Sequence, residues 1–196
     1  MLYNNVAALL PPFAEEYHPD FSSFAIGALF ASYQISLIFI APYIGNNLCS
    51  FGRKRALLVS IVLLSVATFV FAGAGFINND WGWYVTSFLA RSCQGLGDAI
   101  ILIAIPSIIA VEYPLHTEVY LGYAATVLGF AYAIGPVVAD LLFRYFAYIG
   151  TLFIFGALIL VAGSISICFM PDRVNMDENN EEGATKVTNV PYCTFF

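Results

Sequence analysis

Two stretches decide what this chain can fold into. Ala56 to Ile77 and Ile149 to Met170 are each 22 residues long and contain no Asp, Glu, Lys or Arg. As helices they would rise about 33 Å, enough to cross the hydrocarbon core of a bilayer. Neither run alternates polar with apolar, so the spans are expected to be helices rather than barrel strands. Composition points the same way. The chain is 60% hydrophobic and 10% charged, whereas soluble domains carry about 25% charged residues. A soluble fold of 196 residues could not hide that much apolar surface. The expectation is an all-α membrane protein that passes through the lipid bilayer several times.

In chain order, residues 1–13 read as the last half of a transmembrane helix ending at Pro11-Pro12. Glu15, Glu16, His18 and Asp20 form a polar loop. Phe21 to Tyr43 is a span, with Gly27, Ala28, Ala31, Ser32 and Ser36 at helix-packing spacing. Gly45 to Arg55 is read as a loop ending in Arg53-Lys54-Arg55. Ala56 to Ile77 is a span of lipid-facing character. Asn78 to Trp83 is a turn with two interfacial tryptophans. A further span runs from there to Val111, and Glu112 to Glu118 is a loop. Val119 to Leu142 is a span interrupted by Gly135-Pro136, Arg144 to Tyr148 is an aromatic connection, and Ile149 to Met170 is the last span. Residues 171–196 are polar and acidic and read as a flexible linker. The domain reading is therefore a partial first helix (1–13), helices two to six (14–170), and a linker leading toward a further part of a larger protein (171–196).

Orientation follows from the seven basic residues. Alternating spans place Arg53, Lys54, Arg55, Arg173 and Lys186 on one side and Arg144 on the other, so the former side is expected to be cytoplasmic.

The fourth span holds the unusual chemistry. Arg91, Gln94 and Asp98 lie inside an apolar run, where a charge near the bilayer centre costs about 2.5–3.5 kcal/mol. Arg91 and Asp98 are two turns apart on one helix face, about 10 Å along the axis, with Gln94 on the same side. Arg91 reads either as a cavity residue that tunes the proton affinity of a nearby carboxylate or as a structural charge. Asp98 reads either as a proton- or cation-binding acid or as a buried acid paired with Arg91. Tyr33 and Gln34 could face a cavity or brace helices, and Asn5 could line the cavity from the first helix. Gly135-Pro136 reads chiefly as a structural kink.

A weak repeat is visible at a shift of 94 residues. Ala41-Pro42-Tyr43-Ile44-Gly45-Asn46-Asn47-Leu48 lies on Gly135-Pro136-Val137-Val138-Ala139-Asp140-Leu141-Leu142. Three helices followed by three of opposite orientation form an inverted repeat, an arrangement found in secondary transporters. The four cysteines show no paired spacing, so neither a disulfide nor a metal site is expected. No nucleophile–base pair or phosphate loop suggests an enzyme. No filter-like stretch suggests a channel. No cofactor and no nucleic-acid partner are expected.

Three motifs carry a family resemblance over about residues 5–172. Gly45-Asn46-Asn47-Leu48-Cys49-Ser50-Phe51-Gly52-Arg53-Lys54-Arg55 resembles the Gly-xxx-Asp-Arg-x-Gly-Arg-Lys/Arg loop of the major facilitator superfamily, with Cys49 and Ser50 in place of the acid and first base. Arg91, Gln94, Gly95 and Gly97 match Arg-xx-Gln-Gly-x-Gly. Ala131-xxx-Gly135-Pro136-xx-Ala139-Asp140 is similar to the antiporter motif Gly-xxx-Gly-Pro-xx-Gly-Gly. The spacing is most like drug:proton antiporters and vesicular amine or polyamine transporters.

The resemblance implies the N-terminal six-helix bundle of a major facilitator fold, its first helix truncated, whose second half-bundle lies outside this chain. It implies secondary active transport, with proton-coupled antiport of a small organic, cationic or amphipathic solute, in a plasma or vesicle membrane. Arg91, Gln94, Asp98 and Asn5 would line the substrate and proton pathway. Gly45, Gly52, Arg53, Lys54, Gly95, Gly135 and Pro136 would form the gating and structural motifs. The alternative is a truncated half that does not transport and only assembles with another half.

Overall fold

A computed structural model describes residues 2–17 and 22–170. It is built from helices α1 (Leu2–Tyr17), α2 (Ser23–Phe51), α3 (Arg53–Ala74), α4 (Asp80–Glu112) and α5 (Thr117–Phe169). Four of these are long and apolar enough to cross a membrane. The protein is therefore an all-helical, multi-pass membrane protein. This is the outcome expected where the solvent cannot satisfy backbone groups and every N–H must bond within its own helix.

The 53 residues of α5 would make a rod of about 80 Å, far longer than a bilayer is thick. The element is in fact two helices meeting at Ala147, whose φ of 55° and ψ of −176° are not helical. A comparable reversal separates α2 from α3. There the connection is Gly52 alone, at φ 86° and ψ 127°, and its N–H closes the end of α2 on the Leu48 carbonyl. Positive φ suits glycine because a Cβ would crowd the backbone. Gly52 and Ala147 are 95 residues apart, one more than the shift that relates the two halves of the sequence repeat.

Contacts between helices give their directions. Ile149 lies against Gly75, Phe69 against Gly156 and Ile61 against Gly163, and Lys54 Nζ donates to the Met170 carbonyl at 3.0 Å. These pairs climb α3 as they descend the second half of α5, so the two are antiparallel. α4 also runs antiparallel to α3, through Gln94 on Thr68, Gly97 against Leu64 and Arg53 on Ser107. α2 and α4 run parallel, with Tyr84 on Ala25 and Gly95 against Ser36.

Small residues let these backbones approach, as they must where lipid provides no hydrophobic drive for helix association. At one end a core joins all five helices, with Phe13, Leu29, Phe71, Trp83 and Leu152 buried. Within it the Phe13 ring stacks on Tyr148 at 3.9 Å. At the basic end Leu48, Ala56, Leu57 and Ala104 form a second, smaller core.

Several sequence expectations are corrected. α1 continues through Pro11 and Pro12 to Tyr17 instead of stopping by residue 13. Its last turn is held by burial of Phe13 and Ala14, which outweighs the missing proline N–H bonds. The expected loop over Gly45–Arg55 is almost wholly helix, reduced to Gly52. Gly135-Pro136 does not interrupt its helix, which runs on to Ala147. α3 has its lipid-facing character on one strip rather than all round. It is the most buried of the four candidate membrane helices, clasped between α4 and α5, because Ser60, Ser65, Ala67, Thr68 and Ala72 give it a flat face on which helices can pack. Past Arg55, the exposed residues of α3 form a strip of Leu58, Val59, Val62, Val66 and Val70. The linker expected at 171–196 and the loop residues 18–21 lie outside the described residues.

The two hinges should respond oppositely to substitution. Gly52→Ala places a Cβ in a region that costs about 1–3 kcal/mol, and Ala147→Gly removes a similar strain. Thermal unfolding in detergent should show Tm falling for the first and rising for the second, by about 2–4 °C for each kcal/mol. Shifts of the same sign would contradict this account of the reversals.

Candidate functional site

The polar residues of α4 do not point into lipid. Arg91 and Gln94 are both 0% exposed. Arg91 Nη1 donates to Gln94 Oε1 at 2.9 Å. Gln94 Nε2 donates to Thr68 Oγ1 on α3 at 3.1 Å, and that hydroxyl donates to the Leu64 carbonyl at 2.7 Å. The chain thus carries the guanidinium's hydrogen bonding across to a backbone acceptor in the neighbouring helix. Spacing makes this possible: Arg91 and Gln94 are three residues apart and share a face.

The guanidinium also lies over three rings. Its Cζ is 5.5 Å from the centroid of Phe30, 5.0 Å from Tyr33 and 5.7 Å from Phe71. A hydrogen bond to a charged group contributes about 1.5–3 kcal/mol, and each ring about 0.5–2 kcal/mol. Together they offset the few kcal/mol that a charge costs inside a membrane.

Asp98 is half-buried and accepts a hydrogen bond on Oδ2 from Tyr33 Oη of α2. Sequence spacing puts Arg91 and Asp98 on one face, and the structure places Tyr33 between them, its ring toward the cation and its hydroxyl on the carboxylate. Tyr33 is itself 2% exposed. Elsewhere in the bundle the hydroxyls of Ser65, Ser87 and Tyr148 are buried with no hydrogen-bond partner among the described residues.

Two glycines set how closely the helices meet here. A Cβ on Gly95 would fall on the Tyr33 carbonyl oxygen, and one on Gly97 would lie 3.0 Å from Leu64 Cγ and 3.3 Å from the Ser60 carbonyl. Gly95 therefore seats α2 and Gly97 seats α3 on opposite sides of α4.

The remaining sequence candidates are distributed elsewhere. At the basic end, Arg53 Nε donates to Ser107 Oγ at 3.0 Å and Lys54 Nζ to the Met170 carbonyl, tying the start of α3 to α4 and to the end of α5. A cation at a helix C-terminus also meets the negative end of that helix dipole. Gly45 has no neighbour within 4 Å of a built Cβ, and Gln34 is exposed. Asn5 lies in α1, but its side chain is outside the described residues. Gly135 and Pro136 sit within α5, one turn before the exposed Asp140–Arg144 pair (3.0 Å), a kind of pair that contributes little to stability. Thr68, Phe30 and Phe71 are site residues that sequence reasoning misses. Thr68 had a weak signal as one of few hydroxyls in an uncharged span, while the two phenylalanines had none.

A helical bundle with a charged, hydrogen-bonded cluster at membrane depth defines a class: polytopic membrane proteins that handle polar solutes or ions. Comparison with known proteins sharpens this. The Major Facilitator Superfamily model matches residues 1–191, and the chain belongs to that superfamily of membrane transporters. It is 24% identical to multidrug resistance protein 1 of Bacillus subtilis over 90% of this chain and 43% of that protein. It is 29% identical to the vesicular acetylcholine transporter of Mus musculus over 74% of this chain and 28% of that protein. With the probable vesicular acetylcholine transporter-A of Danio rerio the identity is 33% over 61% of this chain and 22% of that protein. The chain spans less than half the length of these relatives. No solved structure matches it.

Removing the middle of the polar chain should expose its contribution. Gln94→Leu leaves the buried guanidinium short of an acceptor and should cost about 2–3 kcal/mol. Thr68→Val, which strands only a neutral amide, should cost about 1 kcal/mol. Reversible unfolding in mixed micelles measures both, and equal or negligible losses would remove the chain from the account of stability.

Proposed function

We propose that this chain is the N-terminal half-bundle of a secondary active transporter that exchanges a small organic cation for protons by alternating access. The observation that carries the reading is the Arg91–Gln94–Thr68 chain together with the Tyr33–Asp98 pair. A cation and an acid are retained at membrane depth, on the helix that carries the superfamily's Arg-xx-Gln-Gly-x-Gly motif. Such residues are expensive, and they concentrate where substrate or protons pass.

The direction of the helices supports a six-helix, three-plus-three half. α3 and the second half of α5 correspond under the 94-residue shift and run antiparallel, and each follows a one-residue reversal. Inverted repeats of this kind place the substrate site near the midplane, between the repeats. The fit to an organic cation rests on chemistry. Asp98 supplies a half-buried carboxylate, and a carboxylate is the natural partner of an organic cation. The names of the relatives fit too, since one of them is a transporter of acetylcholine, itself a quaternary ammonium.

In this scheme Arg91 supplies a fixed positive charge, because an arginine stays protonated at all working pH values, and protons are carried by Asp98 or by acids in the half of the protein outside this chain. Gln94 and Thr68 orient Arg91. Gly95 and Gly97 bring the neighbouring helices close enough for these contacts. Arg53 and Lys54 tie the cytoplasmic ends of the helices together. Asn5, on the first helix, is assigned to the cavity wall.

In proteoliposomes containing the complete protein, Arg91→Ala should abolish proton-driven uptake of an organic cation while the variant still inserts and purifies as a folded protein. Uptake at the wild-type rate would remove Arg91 from the mechanism.

A further inference from the structure

Tyr33 belongs to none of the sequence motifs, yet it makes three contacts that meet at one residue. Its hydroxyl donates to Asp98 Oδ2, its ring lies 5.0 Å from the Arg91 guanidinium carbon, and its carbonyl oxygen sits where a Cβ on Gly95 would fall. The first two contacts are to the charged groups of α4, and the third is a close backbone approach between α2 and α4 that only a glycine permits. We infer that Tyr33 is a positioning residue that couples the charge state of Asp98 to the α2–α4 contact. The inference rests on the transport reading above and adds the route by which proton binding reaches the helices.

The physical argument concerns what each state of Asp98 offers to Tyr33. An ionised carboxylate accepts the phenolic hydrogen strongly, because hydrogen bonds to charged acceptors are about twice as strong as neutral ones. A protonated or cation-loaded Asp98 accepts it weakly, and the tyrosine is then released from the acid. Its ring position over Arg91 is fixed from the other side, since Arg91 is held by Gln94 and Gln94 by Thr68. Besides Asp98, the charged and titratable groups that face Tyr33 are Arg91 from α4 and Tyr132 from α5. Loading of Asp98 therefore changes one strong bond between α2 and α4 while the cation beneath it stays in place. A two-state helix contact needs this kind of local bias: a ligand shifts an equilibrium only by its differential interaction with the two states.

Tyr33→Phe isolates the idea, because it keeps the ring over Arg91 and removes only the hydroxyl. The assay uses the complete protein in proteoliposomes with ethidium as the organic cation. Two modes are measured: accumulation driven by a pH gradient, and exchange of labelled for unlabelled ethidium at equal pH.

Tyr33→Phe should lower gradient-driven accumulation by about tenfold or more, consistent with the loss of one hydrogen bond to a charged group, and leave exchange near the wild-type rate. Asp98→Asn removes the charged acceptor itself and should lower gradient-driven accumulation at least as much, and adding Tyr33→Phe to it should lower accumulation no further. A merely structural role for Tyr33 predicts that both modes fall together, and that result overturns the inference, as does wild-type accumulation by Tyr33→Phe. If the wild-type protein moves ethidium in neither mode, the transport reading itself falls and takes this inference with it.

Discussion

A guanidinium buried among apolar helices has to be satisfied from within the protein, and much of this bundle is arranged around that requirement. Arg91 needs an acceptor, and Gln94 supplies it one turn along. Gln94 in turn needs a place for its amide, and Thr68 on α3 provides that. The second bond requires α3 and α4 to lie close together, which Gly97 permits beside Leu64 and Ser60. The rings over Arg91 come from α2 and α3, and α2 comes close because Gly95 has no side chain. A larger residue at either glycine would separate helices that the charge requires to be in contact.

The same requirement accounts for the position of α3. Its uncharged stretch from Ala56 onward looks like preparation for lipid, but a helix can also be apolar because it is buried on two sides. Ser60, Ser65 and Thr68 are polar yet buried, and Ser60 and Thr68 turn their hydroxyls back onto their own helix, at Leu57 and Leu64. This leaves a smooth surface for α4 on one side and for α5 on the other. The second half of α5 keeps more of the lipid-facing character that its composition suggests, with Leu158, Leu160, Val161 and Ile165 exposed.

Much of this was legible in the chain before any coordinates. Uncharged runs of 22 residues admit few folds other than membrane helices. Arg91, Gln94 and Asp98 stood out because each is costly in that setting, and Tyr33 was a candidate on position alone. What the sequence did not disclose is partnership across helices. Thr68, Phe30 and Phe71 are ordinary members of apolar runs, and nothing in their spacing says that one accepts from Gln94 and two cover a cation. The connections are likewise poorly marked in the sequence. Gly-Asn-Asn and Gly-Pro read as breaks, but inside a membrane bundle packing carries helices through such residues, and the reversals fall at single positions, Gly52 and Ala147. Gly52 had a visible signal in its own identity. Ala147 had none, because alanine ordinarily favours helix.

Transport by this half-bundle requires that Asp98, the half-buried end of the polar face of α4, meet water rather than lipid or a sealed core. The direct measurement is side-specific labelling of Asp98→Cys in sealed vesicles, with Cys49, Cys93, Cys168 and Cys193 of the complete protein replaced by serine. A membrane-impermeant thiol reagent is applied from each side, with and without an organic cation. The prediction is labelling from both sides, with the balance shifted by the cation. No labelling from either side, or labelling from one side that the cation leaves unchanged, would contradict it.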